Sequence, residues 1–380
     1  MTDTRRFFRA LLITAALLAP AVAQEAGTVA KKPTQPVVDL AICLDTSGSM
    51  DGLIDSARQK IWSIVNDLAL AKPSPRLRVA LLSFGNQGNE AEAGWVRVES
   101  DLTEDLDLIS ARLFALKTNG GTELVGRVIQ KSLLSLSWDK GQGLKLIVVA
   151  GNESADQDKE VPFRAVCKQA ITSGVMINSI YCTRNEDASI AQGWKEVALL
   201  ADGHYAAIDQ DRGTITIATP FDGKLSELSV TLNGTYVPWG AAGAEGKARQ
   251  TLADKDARKL NQQAEASRAK SKSTGFYRNS WCLVDSLRDK KVKLEDIKQE
   301  DLPEELRGKT VDELRAYLEA KLAEREKIQA QINDLHKQRA VYISTEMSKQ
   351  GTDEEKAFDA AVRRAIRSQA KLKGFEFESE

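Results

Sequence analysis

Between residues 37 and about 218, nearly continuous apolar runs alternate with stretches that are apolar along one helical face. That alternation restricts the chain to an α/β fold around a mainly parallel sheet. Six strands are predicted, in "VVDLAICL", "RVALLSF", "WVRVES", "LKLIVVA", "VMINSIYC" and "HYAAID". Runs that are apolar at every position need helices on both faces of the sheet. The segment "LIDSARQKIWSIVNDLA" supplies one, with Ile54, Ala57, Ile61, Ile64, Val65 and Leu68 on a single face. Two more are predicted in "EDLDLISARLFAL" and "TELVGRVIQKSLLSL". A doubly wound sheet of this kind leaves a ligand crevice at the carboxyl ends of its strands.

Past Phe221 the pattern changes. Residues 219–243 read as a Gly-rich connector, and residues 244–380 as an α-helical C-terminal region. A helix is expected over 244–272. Another opens with Thr310 and Glu313 at capping-box spacing, and a last one runs from a Thr352 cap to a Gly374 stop. The heptad seam Val311, Leu314, Leu318, Ile328, Ile332, Leu335 and Tyr342 is interrupted by Lys321, Arg325 and Arg339. A helical hairpin or bundle is therefore expected in preference to a long dimeric coiled coil, with self-association through these helices left open. Arg363, Arg364 and Arg367 read as a solvated helix face. "FYRNSWCLVDSL" reads as an apolar helix face that closes the C-terminal region.

The N-terminus carries Arg5, Arg6 and Arg9, then "ALLITAALLAPAVA", then a small-x-small end at Ala21 and Ala23. This is the layout of a secretory signal over residues 1–23, cleaved between Ala23 and Gln24 and followed by a linker over 24–36. The apolar stretch falls short of a membrane span and Pro20 interrupts it, so no transmembrane anchor is expected after cleavage. "TRRFFRALL" also approximates a twin-arginine export signal. The expected location is the periplasm or the extracellular space. With 53 basic and 54 acidic residues the chain has a formal charge of −1, which gives no global pull toward nucleic acid or anionic lipid. Only His204 and His336 are present, and Cys43, Cys167, Cys182 and Cys282 have no CxxC spacing, so a zinc site or a histidine-based triad is poorly supplied. In an exported chain, Cys167 and Cys182 bracket a helix-then-strand segment and form a candidate disulfide. Cys43 reads as a buried small hydrophobe.

The chemistry concentrates in "LAICLDTSGSMDG". Asp45 ends the first buried strand, and Ser47 and Ser49 follow at alternate positions in a tight turn before a helix. One carboxylate and two hydroxyls suit a hard cation such as Mg²⁺. A second loop, "LKTNGGTELVGRVI", places Thr122 after two glycines and directly before a helix, within reach of the same crevice.

On Asp45, Ser47, Ser49 and Thr122, residues 37–218 resemble a von Willebrand factor type A (VWA) domain with its metal-ion-dependent adhesion site, the pattern Asp-x-Ser-x-Ser followed by a Thr in a Gly-rich loop. The resemblance implies a Rossmann-like fold. It also implies one bound ion, Mg²⁺ or else Mn²⁺ or Ca²⁺, and a protein partner that presents an acidic side chain to it. The family usually carries Thr-Asp-Gly after the fourth strand. This chain reads Ala150, Gly151, Asn152, Glu153, and no acid stands at the expected place, so Asn152 and Glu153 are the substitutes available, with Asp156 and Asp158 further on.

Other readings of the same residues are weaker. A haloacid-dehalogenase-like phosphotransferase needs a second acid where Ser47 stands. A serine hydrolase lacks a GxSxG elbow and has only His204 as base. "GAAGAEGKA" (240–248) departs from a phosphate-binding loop in spacing and in Ala248. Trp62, Trp138 and Trp194 read as packing. The expected protein is an exported, metal-dependent interaction or adhesion module and not an enzyme. The alternatives are an envelope scaffold with a vestigial metal site, or a hydrolase using the same crevice.

Overall fold

The computed structural model describes residues 35–50, 54–183, 187–209, 217–350 and 353–377. The signal and cleavage residues, the greater part of the linker and Thr352 lie outside them. Among the described residues no helix is long and apolar enough to cross a membrane.

The six strands are β1 (Val37–Asp45), β2 (Arg76–Phe84), β3 (Arg97–Thr103), β4 (Leu144–Gly151), β5 (Met176–Thr183) and β6 (Tyr205–Asp209). They form one sheet in the order β3-β2-β1-β4-β5-β6. Only β3 is antiparallel to its neighbour. The order reverses at β1, which pairs with both β2 and β4, so the crevice of such a sheet opens at the ends of β1 and β4.

Strand alternation sends Val38, Leu40, Ile42 and Leu44 to one face. There they meet α1 (Ile54–Leu68), α2 (Leu106–Ala115) and the last helix, α11 (Asp353–Lys371). Ala41 and Cys43 face the other way, toward α3 (Val125–Ser135), α4 (Phe163–Thr172) and α5 (Ala188–Leu199). Each Leu or Val fully buried on these faces contributes roughly 1.5–3 kcal/mol. Trp62 and Trp194 are fully buried, as expected of packing residues.

The same alternation corrects the disulfide reading. Cys167, on α4, belongs to the second face, whereas Cys182, on β5, points to the first. The sheet separates them, and all four cysteines are free and buried.

The C-terminal half differs from expectation in several places. The segment 219–243, expected as a connector, holds α6 (Asp222–Asn233), whose Leu225, Leu228 and Leu232 are buried. The helix expected over 244–272 is two: α7 (Gly243–Leu260) and α8 (Gln262–Lys272). They break at Asn261, which is extended and caps α8 by accepting from the Ala264 N–H at 2.8 Å. In "FYRNSWCLVDSL" only α9 (Leu283–Arg288) is helical. α10 (Val311–Gln350) opens with the expected capping box, Thr310 N–H donating to Glu313 Oε2 at 2.8 Å and Glu313 N–H to Thr310 Oγ1 at 3.3 Å. Two charges on its seam are buried and paired with acids: Arg325 with Asp285 at 2.8 Å and Arg339 with Asp222 at 2.7 Å. α6, α8, α9 and α10 thus share a third apolar core.

Two contacts tie this region to the sheet domain. α7 and α8 lie against α2 and α1. At that seam Arg268 of α8 pairs with Asp107 of α2 at 2.5 Å and Asp254 of α7 at 3.0 Å, and stacks 4.9 Å from the Trp62 ring. Lys272 also pairs with Asp254, at 2.5 Å. Separately, α11 covers the first face. Gln369 and Asn178 exchange two amide hydrogen bonds of 2.9 Å, and Arg367 pairs with Asp67 at 2.8 Å, so Arg367 is not part of a solvated face.

Candidate functional site

The end of β1 is held against its neighbours by backbone bonds. Thr46 N–H donates to the Phe84 carbonyl that ends β2, and Asn119 N–H donates to the Thr46 carbonyl. Asn86 Nδ2 links the Thr46 and Lys117 carbonyls. The loop before α3 is thereby strapped across the ends of β1 and β2, as a Gly-rich loop between two strand ends must be if its side chains are to reach the crevice.

Inside that frame the oxygens converge. Asp45 is fully buried and its Oδ1 accepts the Ser47 N–H at 2.7 Å, closing the turn. Ser47 Oγ and Ser49 Oγ lie 2.8 Å apart, and Ser49 Oγ donates to Asn152 Oδ1 at 3.1 Å. Asp45, Ser47, Ser49 and Asn152 therefore meet. Glu153 does not bring its carboxylate to them. Its side chain faces Gln157 Nε2 at 3.4 Å, and its carbonyl is fixed by Trp194 Nε1 at 2.8 Å. Thr122 is exposed on the rim. Asp156 and Asp158 are engaged by Arg164 and Arg127.

The sequence reading missed Glu123. The residue after Thr122 turns inward with only 1% of its surface exposed. Its Oε1 accepts from Ser47 Oγ at 3.0 Å, and its Oε2 accepts from the Glu153 N–H at 3.1 Å. The signal was available: extended residues alternate in direction, so an exposed Thr122 places residue 123 inside, continuous with the buried Leu124 and Val125 that open α3. Gly85, at φ +69°, makes the approach possible. A Cβ there would stand 2.7 Å from Asp45 Oδ1 and 3.0 Å from Glu123 Cγ.

Burial raises both carboxyl groups above the usual carboxylate range, and the charge of Asp45 raises Glu123 further. Among the described residues no Lys, Arg or His forms an ion pair with either. Asp45 Oδ2 is buried with no hydrogen-bond partner. The two serines are short of hydrogens between them, a shortfall that a proton on the raised Glu123 carboxyl or a bound cation makes good. Ser47 and Ser49 carry one hydroxyl hydrogen each, yet they make three short contacts, to Glu123, to Asn152 and to one another. Oxygen-rich and without a cationic side chain beside it, the set fits a hard cation. Among the described residues no three His, Cys, Asp or Glu side chains gather at one point, so hydroxyls complete the donor set.

His204 precedes β6, three strands away from β1, and its Nε2 contacts Ser368 Oγ on α11 at 3.2 Å. It does not reach the crevice. In "GAAGAEGKA" Lys247 hydrogen-bonds the Asn233 carbonyl and Gln250 Oε1 inside the helical region, so its ammonium is committed to packing.

Residues 39–213 match the family model described as the von Willebrand factor type A domain. Solved structures similar to this chain include BatB from Bacteroides thetaiotaomicron, 16% identical, covering 45% of this chain and 90% of that one, with a TM-score of 0.35. The pilus adhesin SpaC from Lactobacillus rhamnosus GG is 16% identical over 47% of this chain and 29% of its own, with a TM-score of 0.38. Proximal thread matrix protein 1 from the mussel byssus, solved with a zinc-occupied MIDAS motif, is 12% identical over 47% of this chain and 43% of its own, with a TM-score of 0.36. No curated protein matches the chain.

Proposed function

We propose, from the premise that residues 39–213 are a VWA domain, that the protein is an exported module that recognises a partner protein through a divalent cation at the end of β1. Asp45, Ser47, Ser49 and Thr122 would hold the ion, Mg²⁺ or else Mn²⁺ or Ca²⁺, with Asn152 at its edge. The ion supplies a concentrated positive charge and an open coordination position for an acidic side chain of the partner. The residues of this chain orient that position: the Asp45–Ser47 turn aims the hydroxyls, and the Trp194 bond to Glu153 holds the far wall. The chemistry is recognition and not turnover, and the signal-like layout of residues 1–23 supports export to the periplasm or beyond.

The observation that carries this reading is the buried, unpartnered Asp45 Oδ2 beside two serine hydroxyls that share too few hydrogens. The test follows thermal unfolding of the wild type and Asp45→Ala while Mg²⁺, Mn²⁺ and Ca²⁺ are titrated. A ligand that binds only the folded state stabilises it by about 2.7 kcal/mol at one hundred times its Kd. Stabilisation is expected in the wild type and not in the variant. An equal response in both proteins, or none in either, overturns the reading.

A further inference from the structure

At the end of β4, where the family pattern places its acid, this chain has Gly151 and then Asn152. There is little room for a side chain at Gly151: a Cβ would lie 3.2 Å from the Asp45 Cβ and 3.1 Å from the Trp194 ring. The bulk of Trp194 occupies the volume an acid would need. The negative charge is nevertheless present. Glu123 reaches in from the loop before α3, and its Oε2 accepts the N–H of Glu153, so its carboxylate stands against the backbone of the segment that lacks the acid. Its Oε1 is held by Ser47, whose other contact is Ser49.

We infer that Glu123 is the second anionic ligand of the site, replacing from the α3 side the acid missing after β4, so that the charge of a divalent ion is balanced within the chain and the ion is resident before any partner arrives. This rests on the cation reading above and adds to it the residue that decides affinity and charge selectivity. Three independent features carry it. Glu123 is buried, it touches a serine of the cluster, and the neighbouring Asp45 Oδ2 is buried without a partner. Glu123 makes no ion pair among the described residues, although a carboxylate is seldom buried without a counter-charge. Two carboxylates neutralise a divalent ion and leave a monovalent one in a net negative pocket, so divalent ions are favoured over Na⁺ or K⁺.

The test is calorimetric titration of Mn²⁺ into the partner-free protein, with the wild type, Glu123→Gln, Glu123→Asp and Asp45→Ala compared, and with metal-free thermal unfolding recorded for each. One Mn²⁺ is expected to bind the wild type. Glu123→Gln keeps a metal-free unfolding midpoint at or above that of the wild type, because a neutral amide replaces a buried carboxyl that has no counter-charge, yet loses at least tenfold in Mn²⁺ affinity. Glu123→Asp, which keeps the charge, recovers to within about threefold of the wild type. If Glu123→Gln binds Mn²⁺ as tightly as the wild type, or if Glu123→Asp loses as much as Glu123→Gln, Glu123 is only a hydrogen-bond acceptor and the inference fails. Absence of Mn²⁺ binding by the wild type instead overturns the cation reading itself, and this inference with it.

Discussion

At the seam between α2 and the C-terminal helices, the buried Asp107 and the largely covered Asp254 pack with Arg268 and Lys272, whereas at the end of β1 Asp45 and Glu123 are buried with no cationic side chain beside them. Both places bring two carboxylates into the interior. At the seam the chain supplies two positive charges of its own, and Tyr277 donates its hydroxyl to Asp107. Burial alone would raise Asp254, but the Lys272 ammonium and the Arg268 guanidinium overcome it and hold the carboxyl down to about 2. In the crevice only hydrogen bonds from Ser47 and the neighbouring backbone oppose burial, and both acids move upward, as does Asp107 at the seam, where burial outweighs Arg268. A balanced set of buried charges is a structural joint. An unbalanced one holds on to protons or draws a charge from outside.

The comparison breaks most readily at the seam. Arg268→Met would leave Asp107 without its guanidinium partner and Asp254 with Lys272 alone, and breaking a buried pair in this way costs about 3–5 kcal/mol. Chemical denaturation should show that loss, and a loss no larger than that of an exposed arginine would mean that the seam is solvated.

A smaller effect comes from acid. The folded value of Asp254 is depressed, to about 2, so its contribution is fully present above its unfolded value and disappears as pH falls through the folded one. The wild type should therefore lose roughly 2 kcal/mol between about pH 4 and pH 2. Asp254→Asn should flatten that part of the stability profile, and an unchanged slope would assign the acid sensitivity elsewhere.

The smallest stability effect is expected in the crevice. Ser49 is exposed, and its hydroxyl contacts Ser47 and Asn152. Ser49→Ala should change metal-free stability by less than about 0.5 kcal/mol and still diminish the Mn²⁺-dependent rise in unfolding temperature. If that rise is unaffected, Ser49 caps a turn and takes no part in holding an ion.

How much could be read from the sequence differs by element. The capping box at Thr310 and Glu313 was legible because its partners are three residues apart. The interruptions in the heptad seam of α10 were legible in the sequence, whereas the acids that meet two of them, Asp285 for Arg325 and Asp222 for Arg339, were not. α6 was misread as a connector. Its Gly-flanked, β-branched sequence is a modest helix former, and only the third core gives Leu225, Leu228 and Leu232 something to bury against. Cys167 and Cys182 failed as a pair because spacing along the chain does not reveal which face of a sheet each sulfur occupies.

The sequence by itself determined the parallel α/β sheet, the turn that sets Asp45, Ser47 and Ser49 together, and the absence of an acid at Gly151 and Asn152, since all of these follow from periodicity and short-range spacing. Only the tertiary structure decided that Glu123 is buried against Ser47, that Arg268 and Lys272 close the seam, and that α11 lies on the open face of the sheet through Arg367 and Gln369. These pairings join residues far apart in the chain, and whether a buried charge finds its counterpart depends on where the folded backbone delivers it.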